Sequence, residues 1–432
     1  MRQKQPPAWR RLDNAAKIFP PTSSRRDPKV FRFGCELFEP VRPALLQTAL
    51  DRTLDQFPFY RSVLKKGLFW YYLEDSDRTL SVHKENRPPC SALYLADKKS
   101  LLLDLSYFGR RINLELYHAL ADGAGALRFF RTLISRYLLL AHEEELRGID
   151  LNLDTGSPEE ELSADSFSRY FEREKKQLFS HEPHAYRIRG EQMPLGSLGV
   201  IEARIPVGLL LDAAHRYGAT LTEFLTAVLL CAIHGGMSAR ERRRPVVIAI
   251  PVNLRAYFPS ESARNFFEIV NIGHRFPADG ETLEAVVAHV KAAFSEKLTP
   301  ERLRRRMNQL SALEHTLPMR LVPLAYKDPV LRLFNWLGER EITAAFSNIG
   351  KIQMPPELTS YIRLFDAFVS TPRIQICSCS FGDEFVLTFT SAFLTTDIQR
   401  RFFRTLSSLG LPVELSTNLY SDEKEVNADA PL

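Results

Sequence analysis

A histidine at the end of an apolar strand, followed at the fourth residue by an aspartate that opens a helix, is the pairing in this sequence best suited to proton transfer. Ile112, Leu114, Leu116 and His118 fall on one face of an alternating strand, while Asn113, Glu115 and Tyr117 fall on the other. Beyond them Leu127, Phe130, Ile134, Tyr137 and Leu138 recur with helical spacing, so a helix begins near Gly123 and Asp122 occupies its N-cap. An imidazole in an apolar setting suits a general base for a hydroxyl or thiol, because its ordinary pKa lies near neutrality. Asp122 has two available duties, capping the helix and fixing the turn through an ion pair with an arginine from elsewhere. The same residues also read as a satisfied core histidine and an ordinary Asp-Gly turn.

The elements that position this unit divide into two halves. The chain has 432 residues, 45% of them apolar, with 29 Phe and 14 Tyr, enough for one or two full cores. An acidic stretch from Glu143 to Asp165 with Gly148, Gly156 and Pro158 reads as a linker, predicting an N-terminal lobe over 1–190 and a C-terminal lobe over 191–432. The first half holds a helix around Pro43 to Phe57, short strands around Gly67 to Leu73 and a run Leu101 to Leu116. In the second, Thr220-Leu221-Thr222-Glu223 fits a capping box opening a helix to His234, where Gly235 and Gly236 stop it. Val246, Ile248, Ile250 and Val252 then mark a strand buried on both faces, with Pro251 near its end. Phe381 to Phe393 reads as a hairpin arm, followed by a helix from Thr395 to Leu409, and the polar tail from Ser421 is expected to fray. The fold class is α/β.

Composition narrows the function. A net charge of +5 is too thin a surplus for a dedicated nucleic-acid binder, although anionic small molecules remain suitable partners. The longest apolar runs, such as Phe224 to Ile233, fall short of a spanning helix, and Arg10, Arg11 and Asp13 interrupt any secretory core near the start. A cytoplasmic protein is expected. Five cysteines form no disulfide framework, and Cys35, Cys90, Cys231 and the same-face pair Cys377 and Cys379 read as small buried hydrophobes. His142, His215, His289 and His315 lack ligand-spaced companions, so no metal site is expected, and Gly123-Ala124-Gly125 matches neither a dinucleotide fingerprint nor a P-loop.

His118-Ala119-Leu120-Ala121-Asp122-Gly123 has the form HxxxDG and resembles the signature of the chloramphenicol acetyltransferase-like superfamily, which includes alcohol acetyltransferases, condensation domains and wax ester synthases. Pro251-Val252-Asn253-Leu254-Arg255 with Asn265-Phe266-Phe267, Phe346-Ser347-Asn348-Ile349-Gly350, and the opening from Trp9 through Leu12-Asp13-Asn14 to Pro20 are similar to further segments of that superfamily, in the right order. The resemblance implies a two-lobed fold with mixed sheets and a tunnel between the lobes, with His118 at the seam as general base. It implies a structural role for Asp122, with Arg255 as the best candidate partner ahead of Arg10 or Arg11, and a tight, closely packed turn at Gly123. Ser347 and Asn348 would lie in a loop facing the tunnel, either donating to a developing oxyanion or bracing the loop. Condensation domains usually carry a second histidine where this chain has Tyr117, which favours a stand-alone O-acyltransferase.

The implied activity is transfer of an acyl group, acetyl in the first instance, from acyl-CoA as co-substrate to a small alcohol or lipid-like acceptor, with no bound cofactor. A carrier-protein thioester as donor, or a non-catalytic binding module with Trp336 or Phe368 plugging the tunnel, are the alternatives. Arg240, Arg242, Arg243 and Arg244, and Arg302, Arg304, Arg305 and Arg306, are candidates for coenzyme A phosphates or an acidic carrier, or are solvated faces. The apolar segment Leu317 to Leu337 is expected to be buried in the core, with tunnel lining or a membrane surface as the other options.

Overall fold

The computed structural model describes residues 9–95, 99–148, 159–172, 183–278, 280–312 and 321–419. The strand Arg111–Tyr117 is central to the first lobe because all but its first residue is buried. It pairs antiparallel with Val30–Leu37 on one side and Leu103–Phe108 on the other. Ile362–Val369 and His83–Lys84 complete this five-stranded sheet at its edges. Helices Pro43–Gln56 and Gly123–Ala141 pack on each other in the same lobe, with Leu46, Leu50, Phe129, Phe130 and Leu133 in one core with Leu114 and Leu116.

The second lobe is built on a seven-stranded mixed sheet in the order 267–274, 246–253, 344–351, 374–381, 384–391, 199–206, 414–417. Ala344–Lys351 runs parallel to both of its neighbours, and the other pairings are antiparallel. The expected capping box holds the helix Leu221–His234, with Glu223 accepting from the Thr220 N–H at 2.7 Å and Thr220 accepting from the Glu223 N–H at 3.4 Å. That helix lies in the second core with Val246, Ile248 and Ile250 of the neighbouring strand. A third, three-stranded sheet joins Trp9–Arg11 to the Ser62–Lys66 and Tyr71–Asp75 hairpin.

The two lobes are interleaved, and no single cut separates their sheets. Ile362–Val369, from the second half of the sequence, pairs with Val30–Leu37, placing Asp366 opposite Gly34. A Cβ at Gly34 would come within 2.0 Å of the Asp366 carboxylate, so the close approach requires glycine. The strand Ile374–Phe381 serves both lobes: Ile374 and Ile376 face the second core, whereas Cys377, Cys379 and Phe381 belong to the first. Part of the acidic linker, 149–158, lies outside the described residues, as does the tail beyond 419. Past that gap the short helices Glu159–Leu162 and Ser166–Tyr170 dock on the 260–264 segment, with the Ala263 N–H donating to the Leu162 carbonyl.

Burial of the apolar segment before Leu337 is not what the structure shows. Residues 313–320 lie outside the described set; the helix Leu324–Gly338 buries only Leu324 and Asp328 and turns Tyr326, Leu333, Phe334 and Trp336 outward. Among the described residues no single helix is long and apolar enough to cross a membrane.

Candidate active site

His118 follows the strand Arg111–Tyr117 and is fixed by its backbone, whose N–H donates to the Lys29 carbonyl at 2.9 Å. Lys29 sits at φ 57°, a left-handed conformation that lysine adopts at a cost. Aromatic rings form the cage. Phe19 stacks on the imidazole at 5.0 Å between centroids, Phe31 lies tilted at 4.6 Å and Phe267 at 6.3 Å. His118 Nδ1 is buried without a hydrogen-bond partner among the described residues. Burial pushes the imidazole pKa down to about 4, opposed by the Asp122 carboxylate and assisted by the Lys29 ammonium. The ring is therefore neutral at pH 7 and enclosed in apolar surface.

Asp122 is held by three contacts of its own. As the N-cap of Gly123–Ala141 its Oδ1 accepts from the Gly125 N–H at 2.9 Å, and its Oδ2 accepts from Arg255 Nη1 and from the Phe266 N–H, each at 2.7 Å. The remaining Arg255 donors reach Asn253 Oδ1 and the Ser262 and Arg264 carbonyls. Every donor of the guanidinium is used, so the pair is satisfied as well as buried. Of the arginines considered for Asp122, Arg255 is the one in contact. Arg10 pairs with Asp75, and Arg11 lies over the Trp70 ring.

The glycine that needs its missing side chain is Gly125 and not Gly123. A Cβ at Gly125 would stand 1.9 Å from the Ala263 carbonyl oxygen, whereas one at Gly123 would meet open space. The third position of the helix faces the 262–266 segment, and the first points away from it.

Ser347 and Asn348 lie in the strand Ala344–Lys351, not in a loop. They separate by face. Asn348 donates to the Thr222 hydroxyl at 2.8 Å and accepts from the Gly350 N–H and from Ser378, which ties the strand to the start of the Leu221–His234 helix. Its amide is spent on bracing. Ser347 is in register with Cys377, which faces the first core, so its side chain is on the face of the sheet that meets the first lobe.

Sequence reasoning assigned no role to several residues that assemble this site. Asp13 is fully buried, accepts from the Ala16 N–H at 2.8 Å and from Asn265 Nδ2 at 3.2 Å, and faces Arg264; burial raises its pKa to about 6. Asn265, Phe266 and Phe267 thus serve three ends: Asp13, Asp122 and the His118 ring. The signal was present, since both stretches belong to the motifs quoted above, but partnership between residues 252 positions apart has no local signature. Tyr117, in place of a second histidine, bonds through its hydroxyl to Ser23 at 2.9 Å.

Of the arginine clusters, Arg302, Arg304 and Arg306 each face a glutamate, at Glu296, Glu172 and Glu268, and are dispersed as an anion site. Trp336 is on the surface, and Phe368 is buried beneath the Arg32 guanidinium. Among the described residues no group of three or more side chains is placed to hold a metal ion.

No protein-family model matches this chain, and no curated protein matches it. Solved structures do. F. graminearum TRI101 complexed with ethyl coenzyme A is similar over 94% of this chain and 99% of its own, at 10% identity and a TM-score of 0.64. Polyketide synthase associated protein 5 from Mycobacterium tuberculosis is similar over 93% and 97%, at 14% identity and a TM-score of 0.58. The first condensation domain of the calcium-dependent antibiotic synthetase, in complex with a substrate analogue, is similar over 93% and 95%, at 14% identity and a TM-score of 0.59. The fold is the two-lobed, mixed-sheet fold of the chloramphenicol acetyltransferase-like and condensation-domain group.

Proposed function

We propose that this protein is an acyltransferase that moves an acyl group from coenzyme A to an alcohol, with His118 as general base. The observation that carries the reading is the imidazole itself: neutral, walled by aromatic rings, without a hydrogen-bond partner among the described residues, and free of the carboxylate that would otherwise engage it. In the proposed step the acceptor oxygen attacks the thioester carbonyl as Nε2 takes its proton. The tetrahedral adduct then collapses, the C–S bond breaks, and the imidazolium returns the proton to the departing thiolate, leaving an ester and free coenzyme A. No acyl-enzyme forms. Positioning and exclusion of water in the cage supply the rest of the barrier reduction. Ser347, on the face of its sheet that meets the first lobe, is the candidate donor to the oxyanion.

The fold likeness to a TRI101 held with ethyl coenzyme A supports this donor. The likeness to a condensation domain supports a second reading, in which a carrier-protein thioester delivers the acyl group. Five unpaired cysteines suit a reducing, cytoplasmic setting for either. The test is chromatographic detection of coenzyme A released from acetyl-CoA with a panel of alcohols and amines, beside His118→Ala and beside an acylated carrier protein. Release that needs both an acceptor and His118 is the expected result. Release unaffected by His118→Ala overturns the base assignment, and turnover only with the carrier selects the second reading.

A further inference from the structure

The helix Leu324–Gly338 reverses the usual placement of an amphipathic helix. Its inward face carries Leu324 and Asp328, whose carboxylate accepts from the Tyr71 hydroxyl at 2.8 Å and from the Lys66 ammonium at 2.9 Å. Tyr326, Val330, Leu333, Phe334 and Leu337 follow helical spacing along one face, and all are exposed, Phe334 by 65% and Leu333 by 54%. The turn after Ser62–Lys66 extends this face. The Leu324 N–H donates to the Leu68 carbonyl and Lys327 Nζ to the Phe69 carbonyl, setting exposed Leu68 and Trp70 beside the helix start. Scattered exposed hydrophobes are ordinary, whereas a continuous stripe of this length marks an interaction surface.

Arginines flank the stripe. The Arg340 guanidinium lies 3.4 Å from the centre of the Trp336 ring. Arg332 is exposed and donates to the Pro21 carbonyl at 2.8 Å, and Arg25 and Arg26, just beyond Pro21, are exposed and without an ion-pair partner among the described residues. The helix's own acid, Asp328, is turned inward, and Glu339 at its end pairs with Arg373. A convex helix with Trp, Tyr, Phe and Leu outermost and arginines at its flanks has the composition of helices that lie in a membrane interface.

We propose that this face docks on lipid bilayers bearing anionic headgroups, with Leu324–Gly338 lying in the interface, and that the acceptor is an apolar alcohol taken from the lipid phase. The choice of substrate rests on the acyltransferase reading; the docking does not. The route is short. Pro21, which holds Arg332, belongs to the helical turn Phe19–Thr22, and Phe19 stacks on His118.

The experiment is sedimentation of the full chain with vesicles of phosphatidylcholine alone and of phosphatidylcholine mixed with phosphatidylglycerol. Pelleting with the mixed vesicles is expected. The triple variant Leu333→Ser, Phe334→Ser, Trp336→Ser should lower the partition coefficient by about tenfold or more, and Arg332→Glu by a smaller, salt-dependent factor. These side chains are exposed, so thermal unfolding of the variants should match the wild type and keep the comparison interpretable. Wild-type protein that stays in the supernatant with both vesicles overturns the proposal, as does a triple variant that pellets like the wild type. A wild-type dimer in light scattering that the triple variant dissolves assigns the face to a second copy instead. His118→Ala should pellet normally, so loss of acyl transfer and loss of docking are read separately. A long-chain alcohol held in vesicles should lose turnover in the triple variant while a water-soluble alcohol does not; equal loss on both overturns the lipid-phase acceptor.

Discussion

Two polar assemblies lie within a few residues of one another, and they are built in opposite ways. Around Asp122 every donor and acceptor is matched: cap, guanidinium and backbone amide converge on one carboxylate. Around His118 the walls are aromatic and Nδ1 is buried without a partner. The first arrangement holds shape; the second leaves the ring's hydrogen-bonding capacity unused. A motif that reads as one unit in sequence is thus a structural clamp and, on the function proposed above, a reactive group placed back to back.

That contrast predicts separable effects. His118→Ala should lower kcat/KM by roughly 10² to 10⁴ while leaving the melting temperature within a few degrees of the wild type. Arg255→Ala should do the reverse in emphasis, costing about 3 to 5 kcal/mol in denaturant unfolding because Asp122 is left charged, buried and short of its partner. A melting temperature unchanged by Arg255→Ala would remove the clamp from the account. The two glycines sharpen it further. Gly125→Ala should destabilise by about 1 to 3 kcal/mol through collision with the Ala263 carbonyl, while Gly123→Ala should be near neutral. Ser347→Ala and Asn348→Ala should likewise part: the first lowers kcat with unchanged stability, and the second lowers stability by about 1 kcal/mol with the loss of its bonds to Thr222 and Ser378.

The smallest effect is in pH. His118 is held at about 4 in the folded protein against an ordinary value of 6.5, so between these values the unfolded chain binds a proton that the native state refuses. Its contribution to stability is full above pH 6.5 and falls as pH drops towards 4. Asp13 works in the other direction. Raised to about 6 from 3.8, it is protonated first in the native state, so its contribution grows as pH falls through that window. Denaturant titrations of Asp13→Asn should therefore show a steeper loss of stability on acidification from pH 6 than the wild type. The acid limb of kcat/KM should lie near the value of about 4, and a limb near 6.5 would mean that the cage is wetter than its geometry.

Much of this was legible because it is local. Strand alternation put His118 on the apolar face, the capping box at Thr220 fixed a helix start, and Asp122 stood where an N-cap must stand. The departures have one cause each. Gly123 was assigned the close packing that belongs to Gly125, because which turn of a helix meets a neighbour depends on how the neighbour arrives. Ser347 and Asn348 were read as a loop, and they are strand residues whose opposite faces give them different fates. Burial was expected of the apolar run before Leu337, since apolar stripes normally hide; here Asp328 takes the inward position and the stripe faces out.

What the amino-acid sequence determined by itself was therefore the set of elements and the chemistry each could offer: a histidine at a strand end, an acid at a helix start and an arginine after a buried strand. Which of these meet was decided only by tertiary structure. Periodicity within a segment specifies which side chains share a face, but the partner of that face comes from residues far away in the chain, as when Arg255 closes on Asp122 or Ile362–Val369 crosses to the first sheet. The low pKa of His118 is of the same kind, since it arises from the exclusion of water by rings from separate elements and belongs to the assembled cage.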